Sequence, residues 1–318
     1  MKEIESFHIA NQEQVIARVE ELGKRSDEIK SRLALILKKL WKTERKLLVV
    51  HNLEVFSTLK LKFPNFIEAI ALYEANAIGL SSLGLPFEAP PVLLSGDPGL
   101  GKTYFASELA KALTLPFYEI SMATMTASFA LSGGNLQWSD GDSGFIAKSL
   151  ADSPYGNPFV LIDELDKSGL EQTYNPIKPF YSLLEQHSAR RFRDEALEIN
   201  LDASRVIWQA TANNLSEVPQ PILSRMKIID IKKPDSNQMI QVVKSIYSNY
   251  ITQKPWGELL DPDLGDSVME LLCQRSPREA KLALDEASLK AICANRTSIF
   301  PSDLPLVKKE HYRVGFIK

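Results

Sequence analysis

The sequence predicts an α/β protein: a parallel sheet flanked by helices, preceded by an N-terminal helical leader and followed by a C-terminal all-helical domain. Short apolar runs alternate with amphipathic stretches from residue 65 to 231, as expected for a parallel sheet covered on both faces. Beyond residue 233 the remaining patterns are helical. Residues 15–40 carry apolar side chains at heptad spacing. We therefore divide the chain into 1–64, 65–231 and 232–318.

The individual elements follow from the same patterns. Four- and five-residue apolar runs with nearby turn signals predict strands at 91–94, 117–120, 159–162, 206–210 and 228–231. Amphipathic periodicity predicts helices at 104–113, 178–186, 237–250, 266–273 and 278–294.

The leader is locally basic. Its apolar seam is interrupted only by Ser26, and Lys38, Lys39, Lys42, Arg45 and Lys46 lie at and beyond its end. One interpretation is a helix that packs on its own protein and keeps a solvated charged face. The other is a coiled coil or basic surface that binds a partner or nucleic acid.

Composition excludes several classes of protein. The 318 residues include 37 basic and 40 acidic side chains, which argues against a surface built throughout for nucleic acid. Two cysteines and four scattered histidines provide neither a disulfide framework nor a zinc cluster. Acidic residues at the N-terminus exclude a signal peptide, and Glu68 and Glu74 interrupt the most apolar stretch, which therefore does not predict a membrane span. We expect a cytoplasmic protein.

A phosphate-binding loop lies between the first predicted strand of the α/β domain and the helix that follows. The segment reads GxxxxGK[ST], a pattern whose glycines let backbone N–H groups turn toward phosphate oxygens at a helix N-terminus. We expect Lys102 to reach the β and γ phosphates and the Thr103 hydroxyl to bind Mg²⁺. The predicted nucleotide-binding residues are Gly96, Asp97, Pro98, Gly99, Leu100, Gly101, Lys102, Thr103 and Tyr104.

Two carboxylates follow the strand predicted at 159–162, at the end of the strand where open α/β sheets bind their ligands. We expect Asp163 to hold Mg²⁺ through water and Glu164 to polarise the water that attacks the γ phosphate. Together with the loop, this pair predicts an enzyme that hydrolyses ATP or GTP.

With these motifs the sequence resembles the AAA+ ATPases, and among them the ATPase module of Lon proteases. The resemblance covers about residues 65–290 and is most specific at 159–167, at 209–213 and at 218–226. It implies the AAA+ P-loop fold, ATP as the nucleotide and the helical domain as a lid.

The resemblance also implies roles for individual residues. Asn213 falls at the sensor-1 asparagine, which orients the attacking water, while its neighbour Asn214 lies outside the triplet. Arg225 falls at the arginine finger, which reaches the nucleotide of the next subunit. The active unit would then be a homo-oligomeric ring, usually a hexamer. Arg278 resembles the sensor-2 arginine of Holliday-junction branch-migration motors, although alignment to Lon places that arginine at Ala283.

A loop between the second strand and the carboxylate pair resembles the Lon pore loop, in which an aromatic residue grips unfolded polypeptide. Gly133, Trp138 and Gly144 match its spacing, whereas Ser139 and Asp140 depart from it. The alternative is that Trp138 packs against its own domain and anchors the loop there.

We expect no attached protease, because residues 295–318 offer no domain-sized protease segment. The resemblance implies a protein remodeller that acts on a protein client. The alternative is an ATP-dependent assembly switch linked to nucleic acid, such as a transposition helper or defence-system ATPase.

Overall fold

The computed structural model describes residues 7–23, 28–125, 127–134, 142–168 and 175–306. Within this part of the chain there are two compact units. The first comprises the described residues up to Lys60, together with Phe66–Asp97 and Lys102–Ile231. The second comprises Leu61–Asn65, Pro98–Gly101 and the described residues from Lys232 onward. No helix among the described residues is long and apolar enough to cross a membrane.

The first unit contains nine strands and most of the helices. Its strands are β1 (Phe7–His8), β2 (Glu44–Arg45), β3 (Val92–Ser95), β4 (Phe117–Ser121), β5 (Phe159–Asp163), β6 (Phe192–Asp194), β7 (Ile199–Leu201), β8 (Ile207–Ala212) and β9 (Lys227–Asp230). The helices up to the end of this unit are α1 (Gln12–Gly23), α2 (Glu28–Leu40), α3 (Val55–Lys62), α4 (Ile67–Ser82), α5 (Lys102–Ala112), α6 (Phe129–Ser132), α7 (Phe145–Asp152), α8 (Phe180–Leu183), α9 (Gln186–Ala189) and α10 (Gln220–Leu223).

The central sheet has five parallel strands in the order β4-β5-β8-β3-β9. All of the side chains of β3 and β8 are buried, as are the first four of β5, which explains why these strands are mainly apolar in the sequence, with Ser95, Gln209 and Thr211 as buried polar exceptions. The predicted α/β fold with a parallel sheet is confirmed, and each predicted strand is found within two residues of its expected bounds. Because the strands are parallel, the carboxyl ends of β3, β5 and β8 meet at one edge of the sheet.

The leader is helical on both sides of residues 24–27, which lie outside the described residues: α1 comes before them and α2 after them. Five apolar side chains of the predicted seam are buried: Val15, Leu22, Leu33, Ile36 and Leu40. They lie in the same core cluster as residues of β5 and β8. The described residues up to Lys60 fall in the same compact unit as the central sheet. The division of the chain at residues 64 and 231 stays a prediction. The seam covers apolar surface of its own domain, so these five residues form no free coiled-coil face.

The segment predicted as one helix at 178–186 forms the two short helices α8 and α9. They are separated because Glu185 has an extended backbone, with φ −110° and ψ 118°. An antiparallel hairpin of β6 and β7 follows, and the sequence did not indicate it. Each of its strands has three residues, too few to display a clear alternating pattern.

The second unit is helical, as predicted. It contains α11 (Ser236–Gln253), α12 (Asp266–Cys273) and α13 (Pro277–Cys293), whose inward faces form one apolar cluster. Capping boxes define the starts of the two longest helices: Asp235 with Gln238 at α11, and Ser276 with Glu279 at α13.

Candidate functional site

The phosphate-binding loop connects β3 to α5. Gly99 and Gly101 have φ values of 83° and 91°, in the region that strongly favours glycine. Helix α5 begins at Lys102, directly after the loop, so the N–H groups of its first turn lie at the end of the motif. Thr103 and Tyr104 occupy the first turn of this helix, and Tyr104 is partly exposed.

Lys102 is the cation of the site. Its Nζ donates to the carbonyl oxygens of Gly96 and Asp97, at 2.6 and 2.9 Å, and to Oδ1 of Asn213, at 2.9 Å. Burial lowers the pKa of the Lys102 ammonium, and the negative charges of Asp166 and Asp163 partly offset this effect. The sequence placed Lys102 and Asn213 in two separate motifs 111 residues apart, and the fold brings them into contact.

Asp163 is the last residue of β5, and its carboxylate accepts hydrogen bonds from two hydroxyl groups. Oδ1 accepts a hydrogen bond from Thr103 Oγ1 at 2.9 Å and another from Thr211 Oγ1, which belongs to the neighbouring strand β8. The same Thr211 oxygen accepts from the backbone N–H of Glu164 at 3.0 Å. Glu164 itself has a left-handed backbone, with φ 54° and ψ 49°. Such a conformation costs a non-glycine residue about 1 kcal/mol, and the bond to Thr211 helps to hold it.

Asn213 follows the last residue of β8. Its backbone N–H donates to Oδ1 of Asp166 at 3.2 Å, while its side-chain oxygen contacts Lys102. The neighbouring Asn214 instead caps the short 3-10 helix Leu215–Glu217, where its side chain accepts from the backbone N–H of Ser216. The two asparagines therefore make different contacts, and the choice of Asn213 as the sensor-1 residue stays a prediction.

These residues fit Mg²⁺ and a triphosphate. The Thr103 hydroxyl and the Asp163 carboxylate, in direct contact, are the hard oxygen ligands that Mg²⁺ prefers. The Lys102 ammonium and the N–H groups at the start of α5 provide donors for phosphate oxygens. Glu164 directly follows Asp163 and is only partly buried.

Arg225 lies apart from this constellation, after α10. Its Nη1 donates to the carbonyl oxygen of Pro221 at 2.6 Å, and its Nη2 lies 2.7 Å from Oε1 of Glu185. The guanidinium carbon stands 6.0 Å from the centre of the Tyr181 ring. Arg225 makes no contact with its own phosphate-binding loop among these bonds, as expected for a residue that serves another subunit. That role stays a prediction.

Two predicted site residues remain, Arg278 and Trp138, and only Arg278 lies among the described residues. Arg278 is in the first turn of α13 in the second unit, where its Cβ lies 3.5 Å from the position that a Cβ on Gly99 would take. Its assignment as the sensor-2 arginine stays a prediction. Trp138 lies outside the described residues, and so does the part of the predicted pore loop from 135 to 141.

The base of that loop is described. Gly144 donates its backbone N–H to Oδ2 of Asp194 at 2.8 Å, and Gly134 donates to the carbonyl oxygen of Asp142 at 3.0 Å. Asp194 is fully buried at the end of β6, and its Oδ1 accepts from the N–H groups of Ala196 and Leu197. Asp194 therefore joins the loop base to the β6–β7 hairpin.

Sequence reasoning missed three residues of this arrangement: Thr211, Asp166 and Asp194. The first two lie inside segments that the motif comparison singled out, at 209–213 and 159–167. A polar residue inside an otherwise buried strand was the available signal for Thr211. Nothing in the sequence pairs Asp194 with Gly144, because their contact depends on the fold.

Comparison with known proteins agrees with the motifs. Residues 92–233 match the model of AAA, the ATPase family associated with various cellular activities. The peroxisomal Lon protease homolog 2 of Zea mays is 27% identical over 203 residues, which are 64% of this chain and 23% of that protein. The Lon protease of Mesomycoplasma hyopneumoniae (strain 232) is 30% identical over 194 residues, 60% of this chain and 22% of that protein. The chain thus spans less than a quarter of the length of these relatives.

Among solved structures, the RuvB Holliday junction branch migration motor of Thermotoga maritima aligns with a TM-score of 0.47 and 17% sequence identity, over 80% of this chain and 67% of that chain. The family match covers β3 through β9, the segment that carries the phosphate-binding loop, the carboxylate pair and Asn213. Residues 92–233 therefore match the AAA ATPase family, and the chain is similar to these two Lon proteases over 60–64% of its length.

Proposed function

We propose that the chain hydrolyses MgATP at the carboxyl edge of β3, β5 and β8 and that a homo-oligomeric ring of it, favoured as a hexamer, uses this energy to remodel protein clients. The observation that carries the hydrolytic part is the direct contact of residues from three separate motifs. Lys102 contacts Asn213, and Thr103 contacts Asp163. Phosphoryl transfer depends mainly on such positioning and on charge stabilisation.

Each side chain has one task in this proposal. Lys102 binds phosphate oxygens, and Thr103 and Asp163 hold the metal. Glu164 accepts a proton from the attacking water at its carboxylate, and the Asn213 amide orients that water. When bound, Mg²⁺ supplies positive charge that offsets the charge on the phosphate oxygens. Arg225 acts on the nucleotide of a neighbouring subunit.

Protein remodelling is supported by the relationship to Lon proteases and by the base of the 133–144 loop. Asp194 and Gly144 hold one end of the loop to a hairpin that is itself bound to α1. Arg18 of α1 donates to the carbonyl oxygen of Ala196 and pairs with Glu198 at 3.0 Å. A loop that pulls on polypeptide requires a firm attachment of this kind to its domain.

The alternative function, a nucleic-acid-linked switch, has less support. Two of the five basic residues on which it depends are bound within the protein. Lys39 pairs with Asp152 at 2.5 Å, and Arg45 donates to the carbonyl oxygen of Ser153 at 3.1 Å. The ion pair with Asp152 offsets the charge of Lys39, and the carbonyl of Ser153 occupies a donor of Arg45 that phosphate backbones would otherwise use.

The experiment measures ATP hydrolysis and unfolding of a tagged client by the wild type, Glu164→Gln and Trp138→Ala. We expect Glu164→Gln to bind ATP without hydrolysing it, and Trp138→Ala to hydrolyse ATP but not unfold the client. Trp41→Ala is the matched control, because Trp41 is an exposed tryptophan of the same unit far from the site in sequence. Equal unfolding by Trp138→Ala and the wild type would contradict remodelling. Hydrolysis stimulated by DNA and abolished at high salt would favour the alternative.

A further inference from the structure

A buried acidic residue, Asp166, lies beside the catalytic constellation without a role in the proposed chemistry. It belongs to the 3-10 helix Leu165–Lys167, which directly follows Glu164. Its side chain has no exposed surface. A carboxylate without access to water is costly unless it forms strong contacts, so its position calls for an explanation.

The contacts of Asp166 lead to Asn213. Oδ1 accepts the backbone N–H of Asn213 at 3.2 Å. Oδ2 accepts no hydrogen bond from the described residues and lies 3.4 Å from Lys167 Nζ, which is also 3.4 Å from Oε2 of Glu217. The turn after β5 is therefore attached to the turn after β8 by a partly buried hydrogen bond and an exposed ion pair.

The sheet itself does not hold Asn213. The last registered pair between β8 and β3 joins Ala212 to Ser95, and the last between β8 and β5 joins Ala210 to Ile162. Asn213 is thus the first residue beyond the ladder, and its N–H would lack a strand partner. Asp166 supplies that partner from the same turn that carries Glu164.

We propose that Asp166 is a positioning residue for ATP hydrolysis: its buried carboxylate holds the backbone of Asn213 so that the asparagine amide stays in contact with Lys102 and at a fixed distance from Glu164. This inference rests on the proposed role of Asn213 in hydrolysis. Asp166 does not touch the reacting atoms. Its hydrogen bond acts through Asn213, and its charge in addition raises the pKa of Lys102. Its loss affects turnover more than nucleotide binding, because the phosphate-binding loop keeps its own hydrogen bonds.

The test compares steady-state ATP hydrolysis by the wild type, Asn213→Ala, Asp166→Ala, Asp166→Asn and the double variant Asp166→Ala/Asn213→Ala. We expect Asp166→Ala to lower kcat about tenfold or more with KM changed by less than about threefold, as for loss of one partly buried hydrogen bond. Asp166→Asn keeps an oxygen that can accept the Asn213 N–H, so it should recover most of this loss. The double variant should be no slower than Asn213→Ala.

Lys167→Ala is the matched control, since it removes the ion pair with Glu217 and leaves the Asp166–Asn213 bond in place. We expect its turnover to stay within about twofold of the wild type, a change that corresponds to an exposed ion pair.

Additive losses in the double variant, or a normal kcat in Asp166→Ala, would overturn the inference. If Asp166→Ala does not fold, the inference is judged on Asp166→Leu, which has a similar size and no acceptor, and its loss of kcat must disappear in the Asn213→Ala background. An unaffected Asn213→Ala enzyme would overturn both this inference and the role proposed for Asn213, whereas a defect confined to Asn213→Ala would overturn this inference alone.

Discussion

The hydroxyl of Thr211 donates a hydrogen bond to Oδ1 of Asp163, across the boundary between two neighbouring strands of the central sheet. Thr211 is buried, with 2% of its surface exposed, and the same oxygen accepts the backbone N–H of Glu164. One hydroxyl therefore contacts both acidic residues of the pair: the side chain of the predicted metal ligand and the backbone of the predicted catalytic base. Neither residue can shift along β5 without breaking a bond to β8.

We expect Thr211→Val to lower kcat for ATP hydrolysis about tenfold, because the isosteric side chain leaves the Glu164 N–H without its hydroxyl acceptor and removes one of the two hydroxyl donors to Asp163. Thr211→Ser keeps the hydroxyl and should retain at least about half of the wild-type rate. Steady-state hydrolysis at saturating ATP measures this difference, and circular dichroism checks that both variants are folded. Equal rates for the valine and serine variants would contradict the role of the hydroxyl.

Local motifs and buried strands could be predicted from the sequence, whereas contacts between distant segments could not. The strand at 159–163 was evident because its first four side chains are buried and apolar. Asp163 and Glu164 then followed from their place at its end. Thr211 lies 48 residues from Asp163, and only the strand order β5-β8-β3 brings the two together. The β6–β7 hairpin was missed because three-residue strands carry too little pattern.

The leader shows the same limit at the level of a helix. Heptad spacing correctly indicated that one face, including Leu33 and Leu40, is apolar. It did not indicate which surface that face covers, because a coiled-coil partner and the chain's own domain demand the same side chains. The structure places both residues in the core cluster of the α/β unit.

Arg225 is expected to act in trans. We predict that Arg225→Ala binds ATP normally and loses most hydrolysis, as an arginine finger variant does. Mixing it with Glu164→Gln should restore activity, since a mixed assembly contains sites with an intact Glu164 from one subunit and an intact Arg225 from its neighbour. Hydrolysis measured against the mixing ratio checks this prediction. The Arg225 guanidinium, which pairs with Glu185 within the subunit, would then leave Glu185 and bind the phosphates of the neighbour's nucleotide.

A mixture no more active than the sum of its two parts would contradict action in trans. The control is a mixture of Glu164→Gln with Lys102→Ala, in which the second subunit lacks its own phosphate contact and supplies no complete site. That mixture should remain inactive at every ratio. Analytical ultracentrifugation with ATP measures whether the variants still assemble.

Asp194 should make stability depend on pH. Burial raises the pKa of its carboxyl from the ordinary 3.8 to about 6, although the N–H groups of Leu197, Gly144 and Ala196 act in the opposite direction. Between these two values the folded state binds more protons than the unfolded state. The free energy of unfolding therefore falls as the pH rises through this interval, by up to ~3 kcal/mol, and the contribution is lost above the folded pKa.

The measurement is urea denaturation of the wild type and Asp194→Asn at several values from about pH 4.5 to about pH 7.5. Asparagine does not titrate, so the stability of the wild type relative to the variant should decrease as the pH rises. Parallel pH profiles for the two proteins would show that Asp194 has an ordinary pKa in the folded state.

Gly144 should tolerate no side chain, although its φ of −72° suits any residue. A Cβ there would stand 2.5 Å from the backbone nitrogen of Gly133 and closer still to the carbonyl oxygen of Leu131. Both obstacles are backbone atoms, so the clash can be relieved only by moving the ends of the 133–144 loop apart. We expect Gly144→Ala to lower the free energy of unfolding by about 1–3 kcal/mol, as overpacking does.

Gly79→Ala is the matched control, because it lies within α4 and a Cβ there meets no atom within 4 Å. That substitution should leave stability unchanged or raise it by about 0.5–1 kcal/mol, since alanine favours a helix. Thermal and urea unfolding of the two variants measure the contrast. If both alanine variants unfold alike, the loop ends can separate at little cost, and the firm attachment through Gly144 and Asp194 that remodelling requires would be absent.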